Sequence, residues 1–504
     1  MNQRCGICNK CGKRVPASHE EQGDRVLLVK DCPDCGRTET IVSVDVEVYK
    51  RKRELDRISS EAGCDLKCTQ CSKSHRVTTV FLEVTNRCNQ NCPICIANIP
   101  HMGFRFEPPF EYFQRIFEHL AKQEPKPSIK LFGGEPTVRD DLFDIVKCAR
   151  DLGLSTSIVT NGLRFADEEY AKKLLATKAK LIFAFDGRSP DVYRVLRGDE
   201  SCYEKKLKAI ENIREHRRSK MTIMCVVGRG LNDHLIGDLI EFCHERRDCI
   251  NALEFIPLTR VWEEGAIEAD GKEITAMEDV ERIIADAVPG KELEFLPAGL
   301  SPYDNMAKYL PLPRLTFAGA HPNCESISFL FSNGNEYVPA ANYFKGRSLY
   351  GVAQSIIDLD TRFGQKMQRI ENGFLGRIGL ARTAGRGLAV VTNWRALRRN
   401  LDMKAIFGKH SNWKLMKVAL GLLMGRKTKN VLRANSELQN VIRLVVLPFE
   451  EPRTLDSARL ERCPAAFAYM DPADQQVKMI PVCAWGLYRD DLFRGIMRSY
   501  GLSA

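Results

Sequence analysis

Three cysteines in the first part of the chain have a spacing that suits a reactive metal cluster. Cys88, Cys92 and Cys95 form a Cys-x3-Cys-x2-Cys triplet directly after the strand-like residues 78–85. Three thiolates on three irons of a four-iron cluster leave the fourth iron open to a non-protein ligand, so such a cluster can react as well as carry electrons. The alternative for three cysteines this close together is a share in a structural zinc site.

A glycine-rich turn further along the chain favours the reactive cluster. Gly133, Gly134 and Glu135 follow the apolar, strand-like residues 128–132. Two residues without a β-carbon let the backbone approach a ligand closely, and Glu135 places a carboxylate beside it. Two later strand-like stretches also end in small or polar residues, Thr160-Asn161-Gly162 and Asp186-Gly187.

The segments around these motifs alternate between strand-like and helix-like patterns. Strand-like stretches lie at 80–85, 129–132, 156–160, 181–186, 221–227 and 253–256, and helix-like stretches lie at 108–123 and 141–152 among others. This order predicts a repeated βα unit and therefore a parallel sheet. Functional groups gather at the carboxyl ends of strands in such folds, and each motif above falls at such an end.

Taken in this order, the triplet, the Gly-Gly-Glu-Pro turn and the Thr-Asn-Gly step resemble the signature of the radical S-adenosylmethionine (SAM) superfamily. The resemblance implies an α/β fold with an incomplete, TIM-like (βα)6 barrel over residues 77–300. It also implies a 4Fe-4S cluster that binds SAM and yields a 5'-deoxyadenosyl radical, which takes hydrogen from an unactivated carbon. The implied site residues are Cys88, Cys92 and Cys95 at the cluster, Ile94 at the adenine, Gly133, Gly134 and Glu135 at the methionyl group, and Thr160 and Asn161 at the ribose.

Two more cysteine pairs lie ahead of the predicted barrel. Two residues separate Cys8 from Cys11 and also Cys32 from Cys35, and turn-forming residues stand beside both pairs. Two such knuckles supply the four thiolates of a tetrahedral site. The pattern predicts either a rubredoxin-like iron or a zinc ribbon, because both metals accept four thiolates. Cys5 offers an alternative partner for Cys8.

The remaining cysteine motifs point to auxiliary clusters. Cys64, Cys68 and Cys71 repeat the spacing of the first triplet but lack a Gly-Gly-Glu turn of their own, so we assign them to an auxiliary 4Fe-4S cluster. Three isolated cysteines after the barrel would supply either a fourth ligand for that triplet or a third cluster. These late cysteines are Cys324, Cys463 and Cys483. The alternative for an isolated cysteine is a small buried apolar side chain.

Length and composition predict a protein of several domains in a reducing compartment. The 504 residues exceed one ordinary core, and 44% hydrophobic residues suffice to bury several. No window reaches the about 18 apolar residues of a membrane span, and the first five residues carry no apolar signal. Nineteen cysteines in metal-ligand spacings favour reduced thiols, so we expect a cytoplasmic protein. The predicted domains are a four-cysteine metal domain (1–45), an auxiliary iron–sulfur segment (46–76), the barrel (77–300) and a C-terminal domain with auxiliary-cluster ligands (301–504).

Positive charge is concentrated in one stretch of the chain. Residues 394–434 contain 11 Lys or Arg and one acid, Asp402, so their net charge of +10 equals the excess of the whole chain. Trp394, Trp413 and many aliphatic residues are interleaved with these charges, as in helices that lie in a lipid headgroup layer. A solvated helix face or a nucleic-acid contact has the same composition. These residues alone leave the alternatives open; together with the resemblance given next, they lead us to expect peripheral contact with the inner face of a membrane and no nucleic acid.

The order of the cysteine motifs along nearly the whole chain resembles a narrower group, the archaeal tetraether lipid synthases, which includes proteins labelled dihydropterin methylases. The resemblance rests on Cys8 to Ala17, the Cys-Pro-x-Cys-Gly at 32–36, the second triplet, the 85–89 step and the late cysteines. It implies a radical enzyme that couples or modifies membrane lipid chains, with ferredoxin or flavodoxin as electron donor. The alternatives are a radical methylase of a pterin-like molecule and a non-catalytic zinc-ribbon module that binds nucleic acid.

Overall fold

A computed structural model of the protein describes residues 4–58, 63–71, 77–216, 220–259, 275–288, 293–310, 312, 317–409, 411–423 and 428–502. The N-terminal part is an antiparallel sheet followed by one helix: β1 Cys5–Ile7, β2 Arg14–Gln22, β3 Arg25–Cys32, β4 Gly36–Ser43 and α1 Val46–Glu54. Because the strands follow one another in space, the β1–β2 and β3–β4 turns lie at the same end of the sheet. These two turns carry the first two cysteine pairs.

The next part of the chain alternates between strands and helices, as its sequence pattern predicts. Its elements are β5 Thr79–Thr85, α2 Phe110–Leu120, β6 Ser128–Gly133, α3 Leu142–Asp151, β7 Ser155–Thr160, α4 Glu168–Leu175, β8 Lys180–Ala184, α5 Pro190–Arg197, α6 Cys202–His216, β9 Met221–Val227, α7 Ile236–Glu245, β10 Ile250–Pro257 and α8 Met277–Ala287.

The C-terminal part contains a long helical stretch between short strands. Its elements are β11 Leu296–Pro297, β12 Ser326–Ser332, β13 Tyr337–Pro339, α9 Leu349–Asn372, α10 Phe374–Arg377, α11 Ala381–Asn400, α12 Met403–Phe407, α13 Ser411–Leu423, α14 Thr428–Asn435, β14 Asn440–Val446, α15 Ser457–Glu461, β15 Ala465–Met470, β16 Val477–Pro481 and α16 Arg489–Ser499. None of the described helices is long and apolar enough to cross a lipid bilayer.

The strands β5 to β10 are parallel neighbours in chain order, which is the arrangement of the predicted (βα)6 barrel. Two C-terminal strands extend this sheet in parallel orientation, β14 beside β10 and β15 beside β5. The strands β12 and β16 then pair antiparallel with β14 and β15. The sequence analysis did not predict this extension, and the sheet therefore continues into the region assigned to a separate C-terminal domain.

The main core lies between the parallel sheet and its helices. Along β6, Ile129 and Leu131 are fully buried against the helical layer, whereas Lys130 and Phe132 between them are only half-buried. Since side chains alternate along a strand, Lys130 and Phe132 face the opposite, inner side of the sheet. The inner side therefore carries a charged side chain among aromatic ones, with Lys130 Nζ 5.0 Å from the centre of the Phe81 ring.

The N-terminal sheet is attached to the C-terminal part of the chain. The backbone N–H of Cys5 donates to Ser457 Oγ at 2.8 Å, and Arg4 pairs with Asp456 at 3.4 Å. The buried Lys30 donates to the carbonyl oxygen of Arg453. Segments far apart in sequence therefore fix the position of the four-cysteine turns.

Candidate active site and metal centres

The Cys88 triplet lies in the loop that follows β5. Desolvation is the largest cause that raises the pKa of the Cys88 thiol to about 12, followed by the charges of Glu135, Cys92 and Cys95. The three thiols are therefore close enough to oppose one another's ionisation. A cationic metal cluster removes that opposition by binding all three as thiolates, so the donor set fits the predicted cluster.

The Gly133–Gly134 turn brings the end of β6 against the loop that carries the triplet. Gly134 N–H donates to Thr85 O at 2.7 Å, and Glu135 N–H donates to Arg87 O at 2.8 Å. A β-carbon on Gly133, which has φ +138°, would lie 2.2 Å from Thr85 O, and one on Gly134 would lie 2.2 Å from Arg87 O. Both positions require glycine because only a bare backbone allows this approach.

The Glu135 carboxylate is buried and accepts hydrogen bonds from other residues of the protein. Its Oε1 accepts from Thr137 Oγ1 at 2.6 Å and from Thr160 Oγ1 at 2.7 Å, and its Oε2 accepts from the Asn161 N–H at 2.6 Å. These bonds tie the end of β6 to the end of β7, and the predicted roles of Glu135 at the methionyl group and of Thr160 at the ribose stay predictions. Their effect on a bound ligand would come through the backbone that they position.

Asn161 and Ile94 occupy different environments. Asn161 is at the mouth of the site, where its Nδ2 donates to Asn89 Oδ1 at 2.8 Å and lies 4.0 Å from Cys88 Sγ. Ile94 is only 3% exposed and packs with Val192 and Leu196. Asn161 therefore joins the end of β7 to the cysteine triplet, while the contact of Ile94 with adenine stays a prediction.

A buried ion pair lies behind the triplet. Asp186 accepts from Arg197 Nε at 2.7 Å and from Arg197 Nη2 at 2.8 Å, and the carboxylate is fully buried. The charges of Asp186 and then of Cys92 raise the pKa of Arg197 against the opposing effect of desolvation. The guanidinium thus links the end of β8 to one of the predicted cluster ligands.

Lys206 is a site residue that the sequence analysis missed. This fully buried lysine donates from Nζ to Asn161 O at 2.5 Å and to Ala184 O at 2.8 Å. Desolvation is the main cause that lowers its pKa to about 8. The available signal was its place on α6, because Lys206 lies four residues after Cys202 and three before Ala209 on the apolar stripe.

The two N-terminal cysteine pairs form one compact site, as predicted. The sulfur atoms of Cys8, Cys11, Cys32 and Cys35 all lie within 4.8 Å of one another, and Cys11 Sγ is 3.7 Å from Cys32 Sγ. A tetrahedral metal with bonds of about 2.3 Å places its sulfurs about 3.8 Å apart. Backbone hydrogen bonds from Cys11 and Lys10 lower the pKa of Cys8, which favours the thiolate form that binds metal.

Replacing Cys32 by Ser should remove this metal. Three ligands remain, so we expect the loss of about one zinc or iron per chain and a Tm lower by on the order of 5 °C, since metal binding stabilises such small domains. Elemental analysis and thermal unfolding would measure both effects. Cys5→Ser is the matched control, because Cys5 lies outside the compact group, and an unchanged metal content in Cys32→Ser would contradict the assignment.

The second triplet also gathers its thiols. Desolvation, followed by the charges of Cys64 and Cys71, raises the pKa of Cys68 to about 12. The Tyr488 hydroxyl donates to Leu66 O at 2.5 Å and contacts Cys68 from the C-terminal part of the chain. Binding of an auxiliary cluster here remains a prediction that this grouping supports.

The three late cysteines are half-buried and near enough to affect one another's ionisation. Desolvation, and then the charge of Cys324, raises the pKa of Cys463 to about 12. Desolvation is also the main cause that raises the pKa of Cys483 well above its usual value, followed by the charges of Glu450, Cys463 and Cys324. Arg459 contacts Cys324 and pairs with Glu450 at 3.2 Å. A third cluster at these cysteines, or a fourth ligand from them for the second triplet, stays a prediction.

Comparisons with known proteins match two parts of the chain to known families. Residues 82–243 match the radical SAM superfamily, and residues 3–44 match the HMPTM N-terminal zinc ribbon domain. The chain is 33% identical over 344 residues, 64% of its length and 67% of the relative's, to the 7,8-dihydro-6-hydroxymethylpterin dimethyltransferase of Methanocaldococcus jannaschii. It is 29% identical over 217 residues, 42% of its length and 68% of the relative's, to a probable GTP 3',8-cyclase of Methanothermobacter thermautotrophicus. Streptococcus suis SuiB bound to S-adenosylmethionine matches 55% of the chain, and 68% of SuiB is covered, at 16% identity with a TM-score of 0.35.

The chain belongs to the radical SAM superfamily. It is a radical SAM enzyme whose cofactors include a 4Fe-4S cluster and SAM, together with a metal in the four-cysteine site. Enzymes of this class depend on an electron donor, because the cleavage of SAM is reductive.

Proposed function

We propose that this radical SAM enzyme modifies a small, polar, pterin-like heterocycle, and that Cys88, Cys92 and Cys95 hold the reactive cluster. A 4Fe-4S cluster bound there would supply the electron that splits SAM into methionine and a 5'-deoxyadenosyl radical, which takes hydrogen from a substrate carbon. The backbone of Gly133 and Gly134 and the side chain of Asn161 would orient SAM at the carboxyl ends of the strands. A reduced ferredoxin or flavodoxin would be the donor, and the auxiliary clusters would relay its electrons.

The proposed substrate class rests on one observation, a charged cavity inside the barrel. The cavity has a volume of about 560 Å³ and is lined by residues along several parallel strands, including Lys130, Glu254 and Arg443 near the middle of theirs. It reaches as far as Val445, the sixth of seven residues in β14. Lys130 stands three residues before Gly133, which is about 10 Å along an extended strand. A flat bicyclic ring with a short substituent can therefore reach from the cavity toward the SAM loop.

The polar lining of the cavity supports a heterocycle rather than a hydrocarbon chain as the substrate. Within the described part of the chain, the buried Glu325 Oε2 and Arg443 Nε have no hydrogen-bond partner. A pterin ring brings N–H donors for the carboxylates and a carbonyl acceptor for the cations. A hydrocarbon chain would leave these groups desolvated and unpaired, at a cost of about 1–3 kcal/mol for each group. This difference, together with the pterin named for the relative, favours the heterocycle.

The test uses anaerobically reconstituted, reduced enzyme with SAM and 6-hydroxymethyl-7,8-dihydropterin. We expect the pterin to stimulate formation of 5'-deoxyadenosine, and deuterium at the reacting carbon of the pterin to pass into that nucleoside, measured by mass spectrometry. In Glu254→Gln, the KM for the pterin should rise about 10- to 100-fold, because a charged hydrogen bond contributes about 1.5–3 kcal/mol.

Glu241→Gln is the matched control, since Glu241 is an exposed residue of α7 that does not line the cavity. Its KM should equal that of the unmodified protein. Deoxyadenosine formation that ignores the pterin but responds to membrane lipid would refute the heterocycle.

A second candidate function is the coupling or modification of lipid chains. It is favoured by one specific observation, the exposed apolar residues interleaved with arginines on α11, and by the resemblance to the tetraether lipid synthase group. The assay above separates the two candidates: lipid work requires that a lipid loses hydrogen or gains mass while the pterin is unchanged.

A further inference from the structure

The helix α11 has small buried residues on one face and exposed apolar residues on another. One stripe of small, buried residues packs toward α9, and it consists of Gly385, Ala389, Ala396 and Asn400. On the other side, Val390, Trp394 and Leu397 are separated by four and three residues and so share one face, on which they are 55%, 44% and 41% exposed. A solvated helix has polar residues on its outer face, so this outer stripe is suited to a partner that buries it.

This exposed stripe belongs to a larger group of exposed apolar side chains. In the described part of the chain, nine of the 14 exposed large apolar side chains lie between Phe374 and Met416. They include Phe374 at 73%, the first residue of α10, and Trp413 at 56% on α13. Scattered single residues of this kind are ordinary on a protein surface, but nine within about 40 residues are not.

The charge around the stripe is almost entirely positive. Residues 373–436 contain 14 Lys or Arg and one acid, Asp402, which accepts hydrogen bonds from the first turn of α12. Counted round the helix, Arg386 lies on one side of this apolar stripe, and Arg398 and then Arg395 lie on the other side. None of these three guanidinium groups forms an ion pair with a described residue, so their charge is available to an anionic partner.

We infer that the outer face of α11, with its exposed Trp394, docks on the surface of an anionic lipid bilayer. Tryptophan and aliphatic side chains enter the headgroup region, while arginines at the same level bind lipid phosphates. A folded protein partner would need a compact acidic surface, whereas a membrane can neutralise positive charge spread over several helices. The inference goes beyond the proposed function and holds for either substrate, because it concerns only where the enzyme works.

Sedimentation of the full-length, reconstituted protein with lipid vesicles tests this inference. We expect binding to vesicles that contain phosphatidylglycerol, little binding to pure phosphatidylcholine, and weaker binding at high salt. Arg395→Gln with Arg398→Gln should lower the partition coefficient about 30-fold. Val390→Ser with Leu397→Ser should lower it about 10-fold by removing buried apolar area.

The matched control is Val441→Ser with Leu502→Ser, which removes the same two residue types at 42% and 41% exposure elsewhere on the surface. This control should bind vesicles as the unmodified protein does, and an unchanged Tm would confirm that each variant folds. The inference is overturned if the protein ignores phosphatidylglycerol vesicles, if the α11 variants bind as well as the control, or if the arginines are needed only for binding a single-stranded RNA oligonucleotide.

Discussion

Replacing Cys88 by Ala is expected to lower the rate of 5'-deoxyadenosine formation from SAM by at least about 1000-fold, or about 4 kcal/mol in the barrier. The remaining thiols of Cys92 and Cys95 cannot hold three irons, so the cluster that cleaves SAM would not persist. The measurement is chromatography of the nucleoside products after reduction by dithionite, with iron and sulfide content determined on the same sample.

Cys148→Ala is the appropriate control because Cys148 is a half-buried cysteine of α3 that lies outside all four cysteine groups. Its turnover and iron content should match those of the unmodified protein. Full deoxyadenosine formation by the Cys88 variant would mean that another cysteine group binds the reactive cluster.

The second large effect is expected from Asp186→Asn. The change leaves the buried Arg197 without its counter-ion, and breaking a buried ion pair costs about 3–5 kcal/mol in the free energy of unfolding. Because Arg197 also contacts Cys92, the iron content of the reconstituted protein should fall as well. Urea unfolding followed by tryptophan fluorescence, with iron analysis, would measure both.

Asp238→Asn provides a matched control in the same barrel. Asp238 pairs with Arg188, but the two side chains are 37% and 29% exposed, so this loss should cost about 1 kcal/mol or less. The double variant Asp186→Asn with Arg197→Met should recover part of the loss, because no charge is then left buried. Equal destabilisation in the two single variants would disprove the special role of the Asp186–Arg197 pair.

The sequence predicts the parallel strands of the barrel well because each is an apolar run bounded by turn residues. The predicted stretch 221–227 coincides with β9, and 253–256 falls inside β10, which begins earlier at Ile250. The parallel placement of β14 and β15 was not predictable from local pattern. No βα unit in the sequence connects either strand to its neighbour, and their partners β10 and β5 lie far away in the chain.

The candidate site also has parts that the sequence predicts and parts that it does not predict. The spacing of the cysteines predicts the four-cysteine site directly, because each of its two turns supplies two ligands that are close in sequence. Buried charged groups bind residues far away in the chain, so no local sequence pattern reveals these contacts. Lys206 and Asn161, for example, are 45 residues apart. Glu135 was recognised from its motif, but whether it faces a ligand or the protein depends on Thr160, which only the folded structure brings near.

The pairing of β15 with β5 has a consequence for synthesis of the protein. Thr78, next to β5, bonds to Pro464, next to β15, and 386 residues separate them. A ribosome adding about 5–20 residues per second needs roughly 20–80 s to make that stretch. During this interval one edge of the parallel sheet has no partner strand and can pair with other chains. The yield of folded enzyme in a cell would therefore depend on translation speed and on chaperones that shield this edge.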